Sequence, residues 1–115
     1  MHESVENYAI GAGGNYDFLD SGTPNVASLG SPRLGQPNRL TLAVWSVDNA
    51  STFTVFVSYD KTIWVPATLR GTATKVSIVA AGSGDGLAVE ITPAPYVRIH
   101  SSAACKMFAW AYISN

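Results

Sequence analysis

The residues best suited to chemistry in this chain are Cys105, its two histidines and its scattered carboxylates. Cys105 follows His100 closely enough to suggest a thiolate beside an imidazole base, the pair from which nucleophilic catalysis is built. Such a pair needs a third group to orient the base, and none is near in sequence. The neighbours Ala103, Ala104 and Met107 describe a small buried hydrophobe rather than a reactive thiol. A lone cysteine also closes no internal disulfide. His2 lies at the terminus and His100 at a strand end, so the imidazoles lack the spacing of a metal site. Asp17 and Asp20 sit in a glycine-rich stretch and suggest a calcium loop, but without a third acid they read as solvated turn residues. The run from Ala80 to Gly86 has the glycines of a phosphate cradle, yet no Lys-Ser or Lys-Thr follows and strands flank it. No metal, no cofactor and no catalysis are expected.

Composition narrows the remaining classes. Charged residues make up only 13% of the 115-residue chain, about half of the usual share of roughly 25%. Ser, Thr, Asn, Gly and Ala must therefore cover the surface, a weakly ionised skin suited to lying against a partner. Seven basic and eight acidic residues are scattered singly, giving a net charge of −1 and no basic stripe for phosphates, so nucleic acid is not an expected partner. No run of ~18 apolar residues could cross a bilayer, and the N-terminus lacks the basic start and apolar run of a secretory signal. The expectation is a chain made in the cytoplasm and binding no membrane, with any extracellular role reached by release inside a virus particle.

The elements that must position these residues are strands. From Arg39 onward the apolar period is two: Leu40, Leu42 and Val44, then Phe53, Val55 and Val57, then Val76, Ile78 and Ala80, with Leu87, Val89 and Ile91 and finally Val97 and Ile99. Breaks at Asp48-Asn49, Asp60-Lys61, Gly71, 82–86 and 93–95 supply turns at short spacing. Strands near 40–47, 52–59, 63–69, 73–80, 86–91, 96–100 and 106–113, with one or more earlier pieces, make about eight. This predicts an all-β, antiparallel, jelly-roll-like β-sandwich. Residues 1–38, where Gly and Pro separate isolated apolar residues, read as an extended N-terminal arm with short strand pieces, and 39–115 as the sandwich domain. The strand at 106–113 is apolar on both faces, with Phe108, Trp110 and Tyr112 opposite Met107, Ala109, Ala111 and Ile113. Either it is buried on both sides or one face lines a subunit contact.

Two resemblances follow. The hairpin "FVSYDKTIWVPA" (Phe56 to Ala67) and "YVRIH" (Tyr96 to His100) resemble stretches of discoidin-like, carbohydrate-binding jelly rolls. There the hairpin is mostly scaffold, so the likeness speaks to fold. It leaves Trp45, Trp64 and Tyr96 as an alternative sugar platform, the partner then being a host glycan on a tail, fibre or surface protein. Size, a glycine-rich arm, low charge and a final aromatic strand together resemble the head-decoration, or cement, proteins of tailed bacteriophages. That resemblance implies a non-catalytic structural protein of the virion surface that stabilises the capsid, with the major capsid protein and copies of itself, as a dimer or trimer, for partners. The expected contact residues are Tyr8, Ile10, Tyr16, Phe18 and Leu19 in the arm, with Phe108, Trp110 and Tyr112.

Overall fold

The computed structural model describes residues 2–18 and 39–114. These residues form nine strands and, among them, no helix: β1 (His2–Ile10), β2 (Asn15–Phe18), β3 (Arg39–Ser46), β4 (Ser51–Ser58), β5 (Val65–Pro66), β6 (Ser77–Ala80), β7 (Asp85–Ile91), β8 (Tyr96–Ser101) and β9 (Cys105–Ser114). One antiparallel sheet, sheet A, has the order β1-β9-β3-β7. The other, sheet B, runs β2-β8-β4-β5, with β6 following β5 along the same side of β4.

The pairing has a simple rule. β1 pairs with β9, β2 with β8, β3 with β7, and β4 with β5 and β6, so the chain doubles back on itself as one long antiparallel ribbon. The ribbon then wraps so that β3 meets β9 and β4 meets β8, which sets a four-stranded and a five-stranded sheet face to face. That is the jelly-roll arrangement, a β-sandwich in which the chain passes from one sheet to the other at every step except from β4 through β6. Alternation fixes what lies between the sheets. Leu40, Leu42, Val44 and Met107 from sheet A meet Phe18, Phe53, Val55, Ile78, Val97 and Ile99 from sheet B, all essentially inaccessible to solvent.

The doubling point is the 56–67 hairpin. Ser58 Oγ accepts hydrogen bonds from the backbone N–H of Asp60 and Lys61, while Asp60 Oδ1 accepts those of Thr62 (2.8 Å) and Ile63 (3.0 Å). Lys61 takes a left-handed φ of 65° between them. These side-chain bonds occupy the backbone from 60 to 63, so the strand expected at 63–69 shrinks to Val65–Pro66.

The short strand pieces expected within 1–38 are present among its described residues. Both described pieces of the 1–38 stretch are sheet strands, β1 at the edge of sheet A and β2 at the edge of sheet B. Ile10 and Phe18, expected at contacts with another molecule, are instead core residues of this domain, 3% and 0% exposed. The reason is alternation: Phe18 pairs with Val97 and faces inward beside it. Tyr8, Tyr16 and Phe18 form an edge-to-face series, with centroids 4.9 Å and 5.0 Å apart, that bridges β1 and β2 at the edge of the sandwich. Leu19 lies outside the described residues.

Candidate functional site

The outer faces of the two sheets differ in chemistry. On sheet B, even-numbered positions of β8 and β4 and odd positions of β2 point outward, and register brings Asp17 beside Arg98, Phe56 beside Arg98, and Asn15 and Thr54 beside His100. Arg98 donates from Nε to Asp17 Oδ1 (2.7 Å) and from Nη2 to Oδ2 (3.0 Å), a two-toothed ion pair. Its guanidinium lies 3.9 Å from the centroid of Trp64, which arrives from the hairpin. Trp64 Nε1 donates to the carbonyl of Lys61, and Lys61 Nζ stands 5.2 Å over Tyr96. His100 Nδ1 and Asn15 Oδ1 are 3.0 Å apart, and the Phe56 ring meets His100 edge-on. Arg98 thus fastens β2, β8 and the hairpin together, and Trp64 and Tyr96 each present one ring face to a cation.

Sheet A is aromatic outside. Register aligns three rows across β9, β3 and β7: Phe108, Trp45 and Gly86; Trp110, Ala43 and Ala88; Tyr112, Thr41 and Glu90. Trp45 and Phe108 pack with centroids 5.4 Å apart, and Tyr112 is 46% exposed. The small residues Ala43, Gly86 and Ala88 leave an open depression of about 310 Å³ bordered by Trp45, Trp110 and Leu87. Gly86 has no room for a side chain, since a Cβ there would sit 2.2 Å from the Val44 carbonyl oxygen and 2.3 Å from Trp45 Cβ. At one end of this face stands an ionic knot in which Glu90 Oε1 lies 3.2 Å from Arg39 Nε and 3.2 Å from Arg70 Nη1, without a hydrogen bond at that oxygen. At the other end are Asp48 and Lys106, where the backbone N–H of Lys106 and of Asn49 donate to Asp48 Oδ1. Those two N–H groups, Lys106 first, hold the Asp48 carboxyl below its ordinary range.

The structure sorts the expected residues accordingly. Phe108, Trp110, Tyr112 and Trp45 come together outside sheet A. Trp64 and Tyr96 come together outside sheet B, so the three residues of the alternative sugar platform fall on opposite faces. Tyr8 and Tyr16 belong to the sandwich edge, where burial, then the Glu3 carboxylate, then Tyr8 push the Tyr16 phenol up. His100 points out of sheet B while Cys105 is buried on the inner side of sheet A, 4.0 Å from Ser101 Oγ, so they do not form a thiol–base pair. Among the described residues no group of three or more His, Cys, Asp or Glu side chains is placed to hold a metal ion. Sequence reasoning missed the Asp17–Arg98 pair. The arginine of "YVRIH" was in view, but Asp17 read as a turn residue because its partner lies 81 positions away. The chain matches no protein-family model, no characterised protein and no solved structure.

Proposed function

We propose that this protein is a structural component of a virion surface, a decoration or cement protein that acts by binding two partners at once and performs no bond chemistry. The observation that supports this is the pairing of two unlike outer faces on one small sandwich: an aromatic face on sheet A and an ion-paired, aromatic-studded face on sheet B. A cement must bridge, and opposed faces let one rigid body touch two neighbours. Contacts made only in the assembled arrangement stabilise that arrangement by linkage, and several weak contacts sum to a durable one. The test is co-sedimentation of the purified chain with tailed-phage particles on a density gradient. Banding with particles and raising their thermal threshold for genome release is the expected result, and a chain that stays wholly in the free-protein fraction removes the reading.

A second reading, recognition of a neutral carbohydrate, draws on the sheet B face alone. Trp64 and Tyr96 offer apolar rings beside the planar polar groups of Asp17, Arg98, Asn15 and His100, a mixture suited to sugar C–H faces and hydroxyl pairs. A glycan array reads this directly. Binding that vanishes in Trp64→Ala supports it, and an array without signal excludes it.

A further inference from the structure

We infer that the outer face of sheet A is the contact between two copies of this chain, packed face to face with their strands antiparallel. The inference deepens the bridging reading by naming one of the two partners, and it rests on that reading only for its purpose.

Three observations carry it. The face presents Trp45, Phe108, Trp110 and Tyr112 around a floor of Ala43, Gly86 and Ala88, an aromatic-rich, charge-free centre of the composition that buried interface cores share. Charge is displaced to its two ends, and unequally. Arg39, whose side chain is 59% exposed, stands with Arg70 and Glu90 at the end where β3 begins, while the Asp48 carboxylate stands at the end where β3 finishes, beside the backbone of Lys106. A twofold rotation that reverses strand direction therefore sets the exposed Arg39 guanidinium of one copy toward the Asp48 end of the other. The antiparallel arrangement joins unlike ends, whereas a parallel one sets like against like. A twofold axis makes the contact self-complementary and closed, so it ends at two copies.

The area agrees. Four strands spaced about 4.8 Å apart and eight residues of about 3.4 Å each give a face of roughly 19 by 27 Å. Two such faces cover about 1,000 Å², the lower bound for specific association. The dimer is thus a weak one that dissociates on dilution, as suits a subunit that must also be recruited to a larger surface.

The test is sedimentation equilibrium of the full chain over a dilution series, with four variants. The wild type should move between one and two chain masses. Trp110→Glu should weaken association by about tenfold or more, and circular dichroism with thermal unfolding confirms that it is folded. Arg39→Glu should weaken association at low salt and lose that difference at high salt. Ala88→Cys should form a disulfide-linked dimer under mild oxidation, because Ala88, on the edge strand β7, lies midway along the strands, where a twofold axis running across them sets it against its own copy, whereas Val79→Cys, 72% exposed on the outer side of sheet B, should not. A chain that is monomeric throughout, a trimer, or a dimer cross-linked through Val79→Cys and not Ala88→Cys overturns the inference. So does a monomer whose tryptophan fluorescence changes on addition of soluble glycan in a Trp45-dependent way, which gives the face to a sugar. A monomer that still co-sediments with particles removes the dimer alone, and a dimer that does not co-sediment removes the bridging reading alone.

Discussion

Asp17 and Arg98 stand opposite one another on β2 and β8 and are joined by two hydrogen bonds, with the ring of Trp64 stacked on the guanidinium. Both side chains are 27% exposed, so the pair is sheltered enough for charge-assisted bonds to matter and open enough to avoid the full cost of burying ions. It is the one ionic tie between an edge strand, a central strand and the doubling hairpin that the described residues contain.

Replacing Asp17 by Ala should cost about 1.5 kcal/mol, since it leaves a half-sheltered guanidinium without its carboxylate. In a domain of this size that lowers Tm by about 4 °C or more. Arg98→Lys should cost a similar amount because an ammonium neither forks nor stacks. A double-mutant cycle with Trp64→Ala measures the coupling, and additive losses would contradict the shared tie.

Gly86→Ala should destabilise the β3–β7 pairing by about 1–3 kcal/mol, the range for overpacking a filled site. The colliding atoms are the Val44 carbonyl and Trp45 Cβ, which are backbone or fixed to it and cannot swing aside. Urea unfolding reads the loss, and unaltered stability would mean that β7 stands off from β3.

Phe18→Ala should cost about 3–5 kcal/mol, as for other buried phenylalanines. Deleting residues 1–20 should unfold the domain, because it removes Ile10 and Phe18 from the core and strips β9 of its partner β1. Retention of a cooperative thermal transition after the deletion would contradict this.

The pH profile has two limbs. The Asp60 carboxyl is held below its ordinary 3.8 by the backbone N–H groups of Ile63 and Thr62, and Asp48 likewise by those of Lys106 and Asn49. Their stabilising contribution is in place above the unfolded value and is lost as pH falls through the lower folded value. Asp60→Asn should therefore flatten the loss of Tm on acidification below about pH 4. Tyr16 is shifted the opposite way, raised from 10.0 mainly by burial, so its contribution is present below that value and is lost as pH rises through the higher folded one. Tyr16→Phe should delay alkaline unfolding, which a Tm series from pH 8 to 11 measures.

Much of the sandwich was legible because two-residue periodicity is a local signal. Leu40, Leu42 and Val44, and likewise Val97 and Ile99, face inward as alternation requires, and the expected strands near 40–47, 52–59, 86–91, 96–100 and 106–113 coincide closely with β3, β4, β7, β8 and β9. The β1 and β2 strands were less legible. β1 carries Asn7 at a φ of 50° and a shift of register between Val5 and Tyr8, so its apolar residues do not keep a single parity. The candidate faces were legible in part. The row Phe108, Trp110, Tyr112 is written in one strand, but its continuation through Trp45 and the floor of Ala43 and Ala88 depends on register between distant strands. The Asp17–Arg98 tie depends on the same thing, and no spacing within the chain announces it.

The placement of β9 between β1 and β3 has a consequence for biogenesis. During synthesis β1 and β3 both emerge before the segment that joins them, so although β3 can pair with β7, β1 has no place in sheet A until β9 is made. Closing sheet A therefore depends on pairing Cys105–Ser114 with a strand about a hundred positions earlier, a long-range contact of the kind that slows folding. Until then the β3 edge that β9 covers is left unpaired.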